Sequence, residues 1–144
     1  MVKIKFKKLT STAKLPVKGS LHAACYDVYA DRVEIEYPGR VIYYLGFSTE
    51  IPEGYRGVIV PRSNLTKYNY MMGNSIGIID SDYRGEWMIK LTSLESPYES
   101  LPYKTGDRIA QIYFEKVLDV VFEEVEDLSI TERNTGGFGS TGLN

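Results

Sequence analysis

One cysteine and one histidine stand in the 144 residues of this chain. Cys25 alone can form neither an intrachain disulfide nor a thiolate metal cluster. His22 alone removes Ser-His-Asp catalysis within one chain unless that single imidazole serves it. Charge of one sign is also missing. The 17 Lys and Arg against 19 Asp and Glu leave a formal net charge of −2, whereas domains that coat nucleic acid are normally basic. No run approaches the roughly 20 apolar residues that a membrane helix requires. The opening MVKIKFKK alternates charged with apolar residues and has no apolar signal-peptide core. These absences lead to the expectation of a soluble, cytoplasmic protein with no membrane association and no direct nucleic-acid binding.

Helical periodicity is scarce as well, and short strands take its place. Val2, Ile4 and Phe6 alternate with Lys3, Lys5 and Lys7, the period-2 pattern of a half-buried strand. Residues 10 to 20, with Pro16 and Gly19, read as loop. Val33, Ile35 and Tyr37 against Glu34 and Glu36 form a second alternating strand, closed by a Pro38-Gly39 turn. Val41 to Phe47 is a buried-looking run, Pro52-Glu53-Gly54 a turn, and Tyr55 to Val60 a strand ending at Pro61. Ser63 to Tyr70 holds the one short helical turn. The stretch from Gly73 to Leu91 runs through Ile76, Ile78 and Ile79, then a cluster of Asp, Ser and Gly, then Trp87 to Leu91, and reads as a β-hairpin. A loop with Pro97 and Pro102, a turn at 104 to 107 and strands at Arg108 to Val117 and Val120 to Val125 follow. Regular short strands with turn signals predict one all-β sandwich or barrel with one core. The tail from Thr131 to Asn144 differs, with Gly136, Gly137, Gly139 and Gly142 around Phe138. Such a segment cannot fold on itself. An aromatic among glycines suits a tail that orders over a bound ligand, wrapping phosphate oxygens with backbone amides.

Five separated segments carry a resemblance in order along nearly the whole chain. AACYDVYA (23 to 30) resembles Ala-Gly-x-Asp-Leu with Asp27 as its acid. PRSNL (61 to 65) resembles Pro-Arg-Ser-Gly-Leu. GNSIGIIDSDYRG (73 to 85) resembles a Gly-apolar-Ile-Asp-x-Asp-Tyr-Arg-Gly hairpin, and GDRIAQIYF (106 to 114) and RNTGGFGSTG (133 to 142) complete the set. Together they resemble the motifs of the trimeric dUTPases. Cys25, Asn64 and Asn134 stand where the family has glycines. Asn tolerates the left-handed backbone region, so both Asn positions are expected to keep the turn geometry. Cys25 is expected to pack, and Trp87 and His22 to be structural or surface residues.

The resemblance implies a distorted jelly roll, the dUTPase-like β-clip, in a homotrimer with a swapped C-terminal arm. The chain would be a single domain, 1 to 144, with 128 to 144 as a flexible glycine-rich arm. The implied activity is hydrolysis of dUTP to dUMP and pyrophosphate, which lowers dUTP and supplies dUMP for dTTP synthesis. Cutting between the α- and β-phosphates needs an oriented water, neutralised phosphate charge and in-line geometry. Asp80 would hold and deprotonate that water. Arg62, Ser63, Gln111 and Arg133 would supply donors to phosphate oxygens. Asp27 would act through magnesium-bound water or by orienting an arginine. Mg²⁺, the implied cofactor, would be held by substrate phosphates and water and not by a protein cage. Backbone of the hairpin at Gly77, Ile79 and Met88 would read the uracil edge with the Asn74 amide, Tyr83 would pack under the deoxyribose, and Phe138 would stack on the base. Asn64 would lie beside the phosphates, and the amides of Gly139, Ser140 and Thr141 around the terminal ones. The family builds each site from three chains: first, second and fourth motifs from one, the third from a neighbour, the fifth from the last. Two rivals have the same fold. A dCTP deaminase would need a Glu on the strand after the hairpin, where this chain has Lys90. A silent nucleotide- or protein-binding relative would not need Asp80, Arg62, Gln111 and Arg133 together.

Overall fold

The structure is a computed structural model and describes residues 1–37, 39–94 and 100–137. Eleven strands and one short 3-10 turn make up its regular structure. In chain order the strands are β1 (Lys5–Lys8), β2 (Val17–Lys18), β3 (Tyr26–Tyr29), β4 (Arg32–Tyr37), β5 (Arg40–Tyr44) and β6 (Phe47–Glu50). Then come β7 (Tyr55–Pro61), β8 (Tyr70–Met72), β9 (Gly77–Ile79), β10 (Met88–Ser93) and β11 (Arg108–Lys116), with the 3-10 turn at Ser63–Lys67. They form a two-stranded sheet β1-β6, a four-stranded sheet β4-β5-β10-β8 and a five-stranded sheet β2-β3-β11-β7-β9. The fold is all-β and jelly-roll-like, and the strand pairings among the described residues are antiparallel.

The alternation in the sequence explains which faces are buried. Val41, Tyr43, Ile89 and Leu91 from the four-stranded sheet meet Val28, Ile59, Ala110 and Ile112 from the five-stranded one in a shared core. Trp87, fully buried as expected of a structural residue, packs 5.5 Å from Phe47 and 6.4 Å from Phe114 between ring centroids. Gly57 makes room for it, since a Cβ there would stand 2.9 Å from Trp87 Cη2.

Two strand expectations change. The stretch from Gly73 to Leu91 is not one hairpin: β9 pairs with β7 and β10 pairs with β5 and β8, in different sheets. Residues 80 to 87 therefore cross from one sheet to the other, ending where Trp87 anchors in the core. The tight reversal lies earlier, at Met72 to Ile76, where the Ser75 amide donates to the Met72 carbonyl at 3.0 Å. The run from Val41 to Phe47 is mostly buried as expected, and it divides into β5 and β6 around Gly46, whose φ of 71° and contact with Asp31 leave no room for a side chain. Val120 to Val125 forms no strand; it lies exposed with no ladder partner among the described residues. Alternation and β-branching specify a strand only where another strand is there to pair with it.

Burial also creates a pH dependence. Tyr43 donates from its hydroxyl to the Tyr103 carbonyl at 2.9 Å, and burial raises its pKa from 10.0 to about 12. A folded-state pKa raised in this way contributes stability that is complete below pH 10 and is lost as pH rises toward 12. Tyr43→Phe should therefore flatten the fall of the thermal midpoint with pH in that window. An unchanged slope would mean that other groups set the alkaline limit.

Candidate active site

Asp27 sits on β3, only 8 % exposed, and is held by two arginines. Arg62, just after β7, reaches Asp27 Oδ1 through Nε at 2.9 Å. Arg108, at the start of β11, reaches Oδ2 through Nη1 at 3.0 Å. Arg62 also donates from Nη1 to the Arg108 carbonyl at 3.1 Å. A buried carboxylate needs such partners, and two guanidiniums leave the cluster with a positive excess. Asp27 is thus paired with two arginines at once. Opposite Asp27 on β11 stands Gln111, its Nε2 3.3 Å from the Pro61 carbonyl. Asp27, Arg62, Ser63 and Gln111 line one cleft of about 350 Å³ with Gly19 and Cys25.

Sequence reasoning named Arg62, Ser63, Asp27 and Gln111 but not Arg108. A strand reading of Arg-Ile-Ala-Gln carries no sign of the irregularity between Arg108 and Ala110, where the register shifts. Bulges of this kind re-aim side chains. Half-buried Cys25 is part of the cleft wall, and exposed His22 is not.

A second cleft, of about 370 Å³, lies between the Met72–Ile76 reversal and β10. Gly73, Asn74, Gly77 and Met88 line it with Arg40 and Lys90. Asn74, Gly77 and Met88 are thus brought together as the sequence suggested. Ile79 is half-buried at the end of β9 and lines neither cleft. Asp80 and Tyr83 belong to the exposed crossing segment and line neither cleft. The Tyr83 hydroxyl donates to the Glu86 carbonyl at 3.1 Å, and the ring folds over Gly85, where a Cβ would collide with it. Glu86 in turn takes both an Arg32 guanidinium contact at 3.1 Å and the Gly46 amide at 3.0 Å, which fixes the end of the segment.

The glycine replacements behave differently from one another. Asn134 has φ of 44°, the left-handed backbone that asparagine tolerates. Asn64 does not adopt positive φ; it lies in the 3-10 turn, and its Oδ1 accepts from the Tyr103 hydroxyl at 3.1 Å. Its side chain is used for packing the turn and not for backbone freedom. Arg133 is exposed, and its Nε donates to the Gly136 carbonyl at 3.0 Å within its own turn. Phe138, Gly139, Ser140 and Thr141 lie outside the described residues.

Among the described residues no group of three His, Cys, Asp or Glu could hold a metal ion. The first cleft offers hard oxygen atoms from Asp27, Ser63 and Gln111, with the carboxylate already engaged by arginines. That donor set fits a magnesium ion held mainly by phosphates and water.

Fold and site define an all-β protein with an arginine-clamped cleft and a second cleft that shares no lining residue with it. Residues 11–142 match the dUTPase family model. The chain is 43 % identical over 141 residues to the deoxyuridine 5'-triphosphate nucleotidohydrolase of fowlpox virus, covering 94 % of both. It is 42 % identical over 146 residues to that of Syntrophotalea carbinolica, covering 99 % of this chain and 98 % of the relative. A mutant dUTPase of Staphylococcus bacteriophage 80alpha, solved with dUpNHpp, superposes with a TM-score of 0.83 over 98 % of this chain and 99 % of its own, at 22 % identity. A phage phi11 dUTPase mutant whose structure concerns a structural Mg(II) ion superposes at 0.72 over 87 % of this chain and 97 % of its own, at 18 % identity. The chain belongs to the dUTPase family.

Proposed function

We propose that three copies of this chain together build the site at which dUTP is hydrolysed to dUMP and pyrophosphate. The observation that carries this reading is a separation: the phosphate donors line one cleft, while Asp80 and Tyr83 stand apart on the exposed crossing segment. The chemistry needs them together. A neighbouring copy that brings its crossing segment and its base cleft to the Asp27 cleft supplies what one chain lacks. Exposed apolar side chains on the segment between β11 and the arm support such assembly, with Val121 96 % and Phe122 95 % exposed. A groove of about 500 Å³, lined by Ile4, Phe6, Tyr55, Ile112 and Phe114 among others, is the apolar surface that the swapped arm of another copy would cover.

At the assembled site Asp80 holds a water in line with the α-phosphorus. As the water oxygen bonds to phosphorus, its proton passes to Asp80 and the bond to the β-phosphate bridging oxygen breaks, so pyrophosphate leaves. Arg62, kept in place by Asp27 and through it by Arg108, donates with Ser63 and Gln111 to phosphate oxygens. Arg133, from the third copy, would reach the terminal phosphates, and Phe138 would close over the base. Asn74, Gly77 and Met88 receive the uracil edge. Magnesium, when bound to the phosphates, supplies further charge neutralisation there, and Asp27, Ser63 and Gln111 are the residues placed to meet its waters. The cytoplasm, where nucleotides are made, is the setting this activity suits. No helix among the described residues is long and apolar enough to cross a membrane.

A nucleotide panel tests the reading. dUTP should be hydrolysed far faster than dTTP or UTP, because on this reading the base cleft excludes a 5-methyl and Tyr83 a 2′-hydroxyl. The products should be dUMP and pyrophosphate. Comparable rates on all three would overturn the recognition argument, and orthophosphate release would overturn the mechanism.

A further inference from the structure

Two cationic side chains that line the second cleft, Arg40 and Lys90, are not used by the hydrolytic mechanism. Arg40 on β5 and Thr92 on β10 face each other directly in the ladder, and Gly73 lies against both. A Cβ at Gly73 would stand 3.3 Å from Thr92 Oγ1 and 4.0 Å from Arg40 Nη2. Arg40 Nε and Thr92 Oγ1 are buried atoms, and neither has a hydrogen-bond partner among the described residues. Buried polar atoms are nearly always paired, so two such orphans side by side ask for a partner. The nearest carboxylate does not fill the role. Glu36 Oε2 stands 3.9 Å from Arg40 Nε, and Glu36 Oε1 is taken by Lys90 at 2.6 Å. The Tyr37 ring, 5.2 Å from the guanidinium carbon, holds the group from another side. Arg40 is thus anchored but not saturated, and it lines the cleft with Asn74 and Met88.

We propose that Arg40 is a specificity-determining residue whose guanidinium donates to the 4-oxo edge of the pyrimidine in this cleft, directly or through one water shared with Thr92. The proposal rests on the reading of the cleft as the base site. A guanidinium has five N–H donors and no acceptor. A 4-oxo pyrimidine offers it an acceptor, whereas a 4-amino pyrimidine sets donor against donor and leaves buried groups unpaired. Sites built on such pairing discriminate far better than shape alone.

Steady-state kinetics with dUTP and dCTP on the full chain decide the matter. Arg40→Met keeps the aliphatic stem and removes the donors. It should raise KM for dUTP about ten-fold, the usual scale for a charged hydrogen bond, and change kcat by less than about two-fold. The preference for dUTP over dCTP in kcat/KM should fall with it, and Arg40→Lys should restore part of that preference. Thermal midpoints of the variants report folding, and Arg40→Gln carries the test if Arg40→Met does not fold. An unchanged dUTP to dCTP ratio in a folded variant without the guanidinium overturns the assignment. Met88→Trp, which fills the cleft, separates the two possible failures. If it leaves KM for dUTP unchanged, the cleft is not the base site and both readings fall. If it raises KM while loss of the Arg40 guanidinium does not, the base site stands and the Arg40 assignment alone falls.

Discussion

Asp80→Asn should lower kcat by about 10²–10⁴-fold, the usual contribution of a positioned general base, while a non-hydrolysable dUTP analogue still binds. The carboxylate makes no side-chain hydrogen bond or ion pair among the described residues, and the residue is exposed. Nothing in the fold therefore depends on its charge. Only the Asp80 carbonyl is used structurally, accepting from the Tyr83 amide at 3.2 Å, and asparagine keeps it. The substitution leaves an amide that can still hold water but cannot take its proton. On the proposed reading binding rests on Arg62, Ser63, Gln111 and the base cleft, and Asp80 lines neither cleft in one chain. Loss of analogue binding in a folded variant would make Asp80 a binding residue, and the assigned chemistry would be wrong. Retained turnover would equally remove it from the mechanism.

The contrast between Asp80 and Asp27 shows what could be read from the sequence. Both acids were legible as members of motifs, and so were the donors Arg62, Ser63 and Gln111, because their segments resemble those of the dUTPase family in order along the chain. The all-β class followed from the same local signals in Val33 to Tyr37 and Tyr55 to Pro61. What escaped was set by long-range pairing. Strands β9 and β10 sit in different sheets because Trp87 drops into the core between them, a choice that no nearest-neighbour pattern records. Arg108 meets Asp27 across 81 positions through an irregular register. Arg40 comes under Gly73 only when β5 and β10 are aligned. Val120 to Val125 had the composition of a strand but no partner in its own chain, since pairing is decided outside the segment.

Deleting residues 131 to 144 should leave a folded assembly and abolish most activity. The last strand ends at Lys116, and 131 to 135 are exposed, so the cut removes little that the core uses. It does remove Arg133, whose guanidinium would otherwise neutralise terminal phosphate oxygens, and Phe138, whose stacking on a base is worth about 1–3 kcal/mol. With a charge-assisted hydrogen bond of similar size, the loss should reach about 10²-fold or more. Phe138→Ala should show part of it. A truncated chain that is unfolded, or one that is fully active, would each contradict this account of the arm.

If three chains build each site, the tail and Asp80 that serve one site come from different chains, and subunit mixing tests this directly. The chain truncated before Thr131 retains Asp80, and the full-length Asp80→Asn chain retains its tail. Each alone should be inactive. After verified subunit exchange, sites that take Asp80 from the truncated chain and the tail from the Asp80→Asn chain are complete, so pyrophosphate release from dUTP should return to a fraction of the wild-type rate. If the tail and Asp80 served one site from the same chain, every site would lack one or the other. A mixture that exchanges subunits and stays inactive would contradict the shared site.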